Sequence, residues 1–375
     1  MSGDWNGTES EGKEEEYFQS YSLLDCHLTM VTDYHRTQVR HVTIPSPHPP
    51  STRDVVKQLY FCAYREAILR SYPQIYKKRV LEVGAGVGIL SVFACQAGAR
   101  GVVAYEAAPQ MAQCARNVAK QNGYGAKVEV VDGAVELNGA TGGDRADVLI
   151  SEWMGYGLLT EYMLRSVLWA RDHLLAPGGL MIPSQAHLHL APLTHTQWMA
   201  DEVHTPWTQA EDLYKVKLSS VTDLHWEQLL EGAGDVLVHP VVPEDVIGHP
   251  CRLSTLPLTT LAPSDLNRVS GSFRFDCFGQ APLAAFALWF SVDLCPSRTL
   301  DTGPYSPPTH WQQMVLYLPR PLPPALCLEQ GDIIQGSLSI TPQATNPRLM
   351  ALHLSFAVQQ RNNSSSYDLH FFPKY

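Results

Sequence analysis

The sequence has 375 residues, of which 45% are hydrophobic and 17% are charged, and its formal net charge is −10. This length accommodates two domains with separate cores. The acidic balance argues against direct binding to nucleic acid and is compatible with a basic partner, and no stretch approaches the roughly 18 apolar residues that cross a membrane.

The N-terminal residues and the cysteines indicate the compartment. Residues 1–16 are polar and acidic, which excludes a signal or transit peptide and predicts a disordered tail. The eight cysteines form neither a CxxC pair nor another metal-ligand spacing, so we expect no metal. A reduced nuclear or cytosolic compartment is therefore favoured.

Residues 63–182 are predicted to form a Rossmann-like α/β domain. The predicted strands are RVLEVGAG, GVVAYEA, KVEVVDG and ADVLISEW. The predicted helices are GILSVFACQAGA, PQMAQCARNVAKQNG and YMLRSVLWARDHLLAPGG, the last of which is stopped by Pro-Gly-Gly. This alternation indicates a parallel sheet with helices on both faces.

Glycines and one acidic residue follow the first two strands, where such a sheet binds ligands. Gly84, Gly86 and Gly88 form GAGVG, which lets the backbone approach a ligand closely. Glu106 ends the second strand, about 20 positions on, where an acidic side chain holds ribose hydroxyls. Because GxGxG differs from the dinucleotide pattern GxGxxG, a nucleoside without a pyrophosphate is favoured over a dehydrogenase cofactor.

The stretch SEWMGYGLLTE holds Glu152 and Glu161 at the two ends of an apolar, glycine-rich turn. Two carboxylates that face one pocket raise each other's pKa unless a cation lies between them. The alternative is an acidic turn on the surface.

After Pro183 the pattern changes to short alternating runs separated by Pro, Gly and polar turns. The runs are QAHLHLAPL, RLSTLPLTTL, SGSFRFDCF, AAFALWFSV, QMVLYL, IIQGSLSI and LMALHLSFAV. They predict an antiparallel β barrel or sandwich. Residues 198–220 interrupt this pattern and are predicted to be partly helical.

Four motifs, in this order along the chain, resemble those of the protein arginine methyltransferases. YFQSY at 17–21 is similar to their N-terminal helix, VLEVGAGVGILSVFACQAGA to their S-adenosylmethionine motif, SEWMGYGLLTE to their paired-glutamate loop, and THW at 309–311 to a third loop. GSFRFDCFGQAPLAAFALWFSVDL is similar to type I members, which make asymmetric dimethylarginine. The resemblance implies S-adenosylmethionine as cofactor and Arg-rich substrates, with histone tails the leading candidates, in the nucleus or also the cytoplasm.

The resemblance also implies domains and a homodimer. A helix at 17–38 would close over the cofactor, and residues 183–375 would form a β-barrel substrate domain. An arm at about 194–226 would grip a second subunit. The alternative for this arm is a surface excursion that covers a sheet edge.

Site roles follow from the resemblance position by position. The catalytic residues would be Glu152, Glu161 and His310. The cofactor would be bound by His27, Met30, Arg36, Gly84, Gly86, Gly88, Glu106, Val135 and Glu136. The substrate would be bound by Tyr21, Met154 and Trp311. For His310, assistance to catalysis and support of the glutamate loop both stay open, and for Trp311 packing is favoured over chemistry.

Residues 39–62 depart from the family pattern, because IPSPHPPS holds four prolines that cannot continue a helix. The family's acidic pair is also absent, since His27 is followed by Leu28 and Thr29. Either the insert loops out and Arg36 keeps its place, or the lid helix is broken and closure over the cofactor fails. Arg40 and Arg53 are candidates to substitute for Arg36. A retained intron would also explain the insert.

Two other functions compete with an arginine methyltransferase. One is a catalytically weak, dimeric, chromatin-binding protein, against which the retained glutamate pair argues. The other is a small-molecule methyltransferase, but a pair of carboxylates suited to a guanidinium fits no neutral acceptor.

Overall fold

The computed structural model describes residues 59–139, 144–194, 197–233, 235–318, 326–361 and 363–373. The predictions for Tyr21, His27, Met30 and Arg36, together with residues 1–38 and nearly all of the insert, lie outside this range. Within it, no helix combines the length and apolar character needed to cross a membrane.

A five-stranded parallel sheet forms the first half of the described chain, with the strand order β3-β2-β1-β4-β5. The strands are β1 (Arg79–Val83), β2 (Gly101–Glu106), β3 (Val128–Asp132), β4 (Ala146–Ile150) and β5 (Leu175–Ile182). The central strands β1 and β4 are almost wholly buried, because helices cover both faces of the sheet.

Within the described residues, six helices accompany the parallel sheet. They are α1 (Leu59–Arg70), α2 (Tyr72–Ile75), α3 (Ile89–Gln96), α4 (Pro109–Gln121), α5 (Val135–Asn138) and α6 (Leu164–Leu174). α1 begins inside the segment that we assigned to the insert. Gly88 precedes α3 as its N-cap residue with a φ of +81°, and a Cβ at this position would lie 3.0 Å from the Cβ of Ala115 on α4. Gly88 therefore allows two helices to approach each other.

The end of α6 differs from the prediction. The sequence pattern placed Pro-Gly-Gly as the stop of a helix, but α6 ends at Leu174 and β5 begins at the next residue. The register of β5 shifts between Ala146 and Val148 of the neighbouring strand β4, which accommodates the extra residues. β5 tolerates the proline because it is the edge strand of its sheet.

The second half is antiparallel. Its strands are β6 (Gln185–Leu193), β7 (Val236–His239), β8 (Cys251–Pro257), β9 (Val269–Asp276), β10 (Ala281–Pro282), β11 (Ala285–Cys295), β12 (Arg298–Asp301), β13 (Gln313–Tyr317), β14 (Cys327–Leu328), β15 (Ile333–Pro342), β16 (Met350–Gln360) and β17 (Asn363–Phe371). One sheet has the order β7-β13-β11-β6-β8 with β12 beside β11, a second has the order β17-β16-β15-β9, and β10 pairs with β14.

An aromatic cluster joins the two large antiparallel sheets. Phe286 on β11 packs against Phe356 on β16, with ring centroids 5.2 Å apart, and against Phe273 on β9 at 5.8 Å. All three rings are buried, as expected where alternating strands turn one face towards a shared core.

Helices interrupt the antiparallel strands where the sequence predicted partial helix. α7 (Gln197–Met199) continues as a π turn (Ala200–His204) into α8 (Thr205–Tyr214), and α9 (Ser219–Ala233) follows. Met199, Val203 and Trp226 are buried against β7 and β13. Four large apolar side chains of this segment are exposed instead: Leu213, Tyr214, Val216 and Leu224.

Candidate active site

The site lies where the parallel sheet reverses its strand order. The chain runs outward from β1 to β2 and β3 and then returns to β4 on the other side of β1. Ligands bind at the carboxyl ends of strands beside such a reversal. The glycine loop after β1 and the glutamate loop after β4 therefore meet at one edge, as the sequence predicted.

Glu106 is fixed beside the glycine loop by backbone hydrogen bonds. Its Oε2 accepts from the N–H of Gly86 at 2.6 Å, and its Oε1 accepts from the N–H of Ala108 at 2.8 Å. The side chain is 9% exposed. Gly84 and Gly86 have φ of +75° and +51°, a region that glycine enters without strain. An oriented, acceptor-only carboxylate suits a ligand that offers hydroxyl donors.

Apolar and polar side chains from α5 and from the start of α6 line the same edge of the sheet. Val135 is buried, whereas Glu136 is partly exposed and accepts a hydrogen bond from the hydroxyl of Ser166. The Cε of Met163 lies only 2.2 Å from where a Cβ on Gly84 would be. Sequence reasoning missed Met163 and Ser166, whose only signal is their position directly after the glutamate loop. Together with Glu106, these groups fit a nucleoside, which combines hydroxyls with a flat, largely apolar base.

The glutamate loop, residues 151–162, is folded into a strained turn. Gly155 and Leu158 bond to each other through both backbone pairs, at 3.2 and 2.9 Å. Leu158, Glu161 and Tyr162 have φ of +76°, +77° and +58°, which are unusual values for residues other than glycine. Each such residue costs about 1–3 kcal/mol, so the surrounding structure must hold the loop in place.

The first half of the loop is held by side chains from three directions. The hydroxyl of Ser151 donates to the carbonyl of Val83 at 2.7 Å, which joins β4 to the end of β1. Tyr64 on α1 donates to the carbonyl of Ser151 at 3.0 Å. Trp311 donates from Nε1 to the carbonyl of Met154 at 2.7 Å. Met154, predicted to lie beside the methyl donor and the substrate arginine, is thereby fixed and buried.

The second half of the loop is held by the antiparallel half of the protein. The N–H of Glu161 donates to the carbonyl of Arg348 at 2.7 Å, and Nη1 of Arg348 donates to the carbonyl of Glu161 at 3.0 Å. Arg348 lies just before β16. These two reciprocal bonds fix both sides of a residue whose backbone is left-handed. No sequence motif pointed to Arg348.

The electrostatics of the pair favour a bound cation. Burial, and then the charge of Glu161, raise the pKa of Glu152 to about 8, although the N–H of Met154 donates to Oε1 of Glu152 at 3.1 Å and opposes the shift. Both glutamates keep part of their surface exposed. A planar cation with several N–H donors that bridges the two carboxylates would remove their repulsion and lower this pKa.

His310 and Trp311 lie behind the loop. The two rings are in contact, with centroids 3.9 Å apart, and His310 is partly exposed whereas Trp311 is 3% exposed. Trp311 contacts the loop by its hydrogen bond to the main-chain carbonyl of Met154. This buried contact is compatible with a role for Trp311 in packing. His310 is connected to the loop through Trp311, so support of the loop and direct assistance both remain predictions.

Comparisons with known proteins agree with this geometry. Residues 184–361 match the family described as the arginine methyltransferase oligomerization subdomain, and residues 67–182 match the ribosomal protein L11 methyltransferase family. Protein arginine N-methyltransferase 6 of Xenopus tropicalis is 36% identical over 345 residues, which cover 92% of this chain and 91% of the relative. Its namesake in Danio rerio is 34% identical over 357 residues, covering 94% and 92%. The PRMT1 enzyme–prozyme heterotetrameric complex of Trypanosoma brucei with AdoHcy has a TM-score of 0.74 at 29% identity and covers 95% of this chain and 100% of that chain.

Proposed function

Because the chain belongs to the protein arginine N-methyltransferase family, we propose that it transfers methyl groups from S-adenosylmethionine to protein arginines, giving mono- and then asymmetric dimethylarginine. The observation that carries the proposal is the pair Glu152 and Glu161, held at the edge of the nucleoside site by a strained loop. A guanidinium is planar, stays charged near neutrality and offers five donors to such a pair.

The cofactor, S-adenosylmethionine, supplies a methyl group activated by its sulfonium. Glu106 would accept from the ribose hydroxyls while its carboxylate stays oriented by Gly86 and Ala108. Glu136 and the apolar side chains of Val135 and Met163 would hold the adenine. The glycine loop after β1 leaves space for the remainder of the molecule.

The glutamates would position the substrate and polarise it. When they bind the guanidinium, positive charge is drawn towards the nitrogens that they contact, so the remaining nitrogen becomes a better nucleophile. Its lone pair would form the new N–C bond as the bond from the methyl carbon to sulfur breaks, with S-adenosylhomocysteine as the leaving group, and one N–H proton must leave. Glu152 or His310 would receive it. Catalysis is then mostly positioning and electrostatics.

The unequal surroundings of the two glutamates support an asymmetric product. Glu152 precedes the buried Trp153 and Met154 and has a strongly raised pKa, whereas Glu161 has a left-handed backbone held by Arg348. A guanidinium bound by two such different groups has one preferred orientation. The same nitrogen would then face the methyl donor in both rounds of transfer.

The acidic chain and its exposed apolar arm support the proposed partners. A net charge of −10 favours basic, Arg-rich substrates such as histone tails, which would place the protein in the nucleus. Leu213 and Tyr214 are 73% and 69% exposed on α8, which suits burial in a homodimer. Light scattering of the wild type and of Leu213→Asp would test this assembly.

The decisive experiment incubates the full-length protein with S-adenosylmethionine and a histone mixture and analyses the products by mass spectrometry and amino-acid analysis. Asymmetric dimethylarginine supports the proposal, and symmetric dimethylarginine would refute type I activity. A variant lacking residues 39–62 is assayed in parallel. Activity of that variant alone would mean that the insert disables the enzyme.

Two glutamate variants and a matched control separate the clamp from the cofactor site. Glu152→Gln and Glu161→Gln should abolish transfer and leave binding of S-adenosylhomocysteine, measured by calorimetry, nearly intact. Glu129→Gln, an exposed glutamate on β3, is the control and should change neither. Wild-type activity in the first two variants would contradict the clamp.

A further inference from the structure

Three potential metal ligands stand together on the outer face of the sheet formed by β9, β15, β16 and β17. His353 on β16 lies directly opposite His370 on β17, and Asp368 is two residues before His370. Strand residues two apart share a face, so all three side chains point the same way. Their ligand atoms lie within 4.8 Å of one another.

Ring stacking and a hydrogen bond hold the three side chains of this cluster close together. The two imidazole rings are stacked, with centroids 4.3 Å apart and an interplanar angle of 8°. Nε2 of His353 lies 2.6 Å from Oδ1 of Asp368. Asp368 and His370 are exposed and His353 is partly exposed, so solvent ions reach the group.

The neighbours of the cluster within the strands of this face are small, whereas Phe372, which follows β17 two residues after His370, is large and 54% exposed. The residue opposite His353 on β15 is Ser339. The residues two positions from the ligands along their strands are Ala351, Ser355 and Ser366. None of these four carries a positive charge or enough bulk to block an ion and its bound water.

We propose that His353, Asp368 and His370 form a surface site for a divalent transition metal of the zinc type. Two imidazole nitrogens and one carboxylate oxygen are ligands that zinc prefers, whereas magnesium and calcium prefer all-oxygen sites. Ligand atoms around a tetrahedral zinc are about 3.3 Å apart, given bonds of about 2.0 Å. Small side-chain rotations would widen the 2.6 Å separation of His353 and Asp368 to this value and bring His370 into the same sphere, and water would complete the coordination.

Binding would replace the hydrogen bond between His353 and Asp368 by bonds to the metal. A ligating imidazole must offer a lone pair, so Nε2 of His353 would face the ion instead of Oδ1 of Asp368. The metal would then bridge β16 and β17. β17 is an edge strand, paired within the described chain only with β16. The site would therefore tie down the end of the sheet.

The competing interpretation is a plain surface ion pair beside two stacked rings. An exposed histidine–aspartate pair contributes only about 0–1 kcal/mol to stability and needs no metal. The two interpretations differ in whether His370 matters for zinc, because His370 takes no part in the hydrogen bond between His353 and Asp368.

The test titrates zinc chloride into the full-length protein, free of any affinity tag, by calorimetry. The expected result is a zinc site in the wild type whose affinity falls at least about tenfold in His370→Ala and in Asp368→Asn. His249→Ala removes another exposed histidine and should leave the affinity unchanged. Cobalt chloride should give visible absorption bands in the wild type that are lost in His370→Ala.

Thermal unfolding gives a second, independent readout. Zinc should raise the Tm of the wild type and of His249→Ala but not that of His370→Ala, while all three unfold at similar temperatures without metal. Equal zinc affinity in the wild type and His370→Ala would overturn the proposal, because the bound zinc would then lie elsewhere, such as on the cysteines. The absence of zinc binding by the wild type would overturn it too.

Discussion

Replacing Arg348 by alanine is expected to lower kcat/KM for a peptide substrate while leaving cofactor affinity nearly unchanged. Arg348 donates from Nη1 to the carbonyl of Glu161 at 3.0 Å, and this bond joins the glutamate loop to the antiparallel sheets. The alanine variant keeps the backbone bond from Glu161 to residue 348 but loses the guanidinium.

The size of the effect follows from two opposing contributions. A hydrogen bond that involves a charged group contributes about 1.5–3 kcal/mol. Glu161 and Tyr162, with φ of +77° and +58°, each cost the loop about 1–3 kcal/mol in backbone strain. Because the bond and the strain are similar in size, loss of the bond lets the loop relax away from its strained form. The expected loss in kcat/KM is about 10–100-fold, since 1.4 kcal/mol corresponds to a factor of ten.

The assay compares wild type, Arg348→Ala, Arg348→Lys and Arg274→Ala on an Arg-rich peptide. Lysine can keep one donor and should give an intermediate loss. Arg274 is an exposed arginine on β9 whose replacement should have no effect. Calorimetry with S-adenosylhomocysteine should give similar affinities for all four proteins, because Arg348 supports the glutamate loop, whereas Glu106 and the glycine loop form the proposed nucleoside site.

Two outcomes would refute the reasoning. Wild-type kcat/KM in Arg348→Ala would mean that the bond does not position Glu161. A parallel loss of substrate turnover, cofactor affinity and Tm would mean that the variant acts through global stability rather than through the loop.

Three further predictions concern a glycine and two glutamates. Gly155→Ala should abolish transfer, because its Cβ would lie 2.0 Å from the carbonyl oxygen of Thr160. Gly123 has a positive φ but open space around it, so Gly123→Ala should lose only a little stability, and equal activity of both variants would contradict this. The pKa of Glu82 is raised by burial from 4.5 to about 8, so the native state keeps a proton that the unfolded state loses, and stability falls as pH rises through that range. Glu82→Gln removes this decline. The Tm of the variant relative to that of the wild type should therefore increase from pH 5 to pH 8. A Tm difference that does not change with pH would refute the raised pKa of Glu82. Glu152 must be ionised to bind a guanidinium, and its pKa is raised to about 8, so kcat/KM at low cofactor concentration should rise with pH up to about 8; a flat profile from about pH 6.5 to 9 would count against it.

The sequence predicted the strands in which buried positions give a recognisable pattern of apolar residues. β1, β2 and β4 are apolar runs that end at a glycine or a polar residue, and β6 matches its predicted span. β5 was missed because Pro-Gly-Gly, ordinarily a helix stop, is absorbed there by a register shift at a sheet edge. β17 was missed because its Ser-rich sequence carries little apolar alternation.

The candidate site was predictable where its residues are neighbours in sequence. Glu152 and Glu161 belong to one motif, and Glu106 follows the glycine loop at a recognisable spacing. Arg348 lies 187 residues from Glu161, and only the folded chain brings the two together. The cluster of His353, Asp368 and His370 likewise depends on the register of two strands, which local sequence does not determine.

The anchoring of the glutamate loop has a consequence for exchanging parts between relatives. The loop belongs to the parallel half of the chain, but Trp311 and Arg348, which hold it, belong to the antiparallel half. A chimaera that takes the two halves from different proteins inherits the glutamates from one parent and their supports from the other. Swapping the antiparallel half would therefore also reset the geometry of Glu152 and Glu161, unless both supporting side chains are transplanted with the loop.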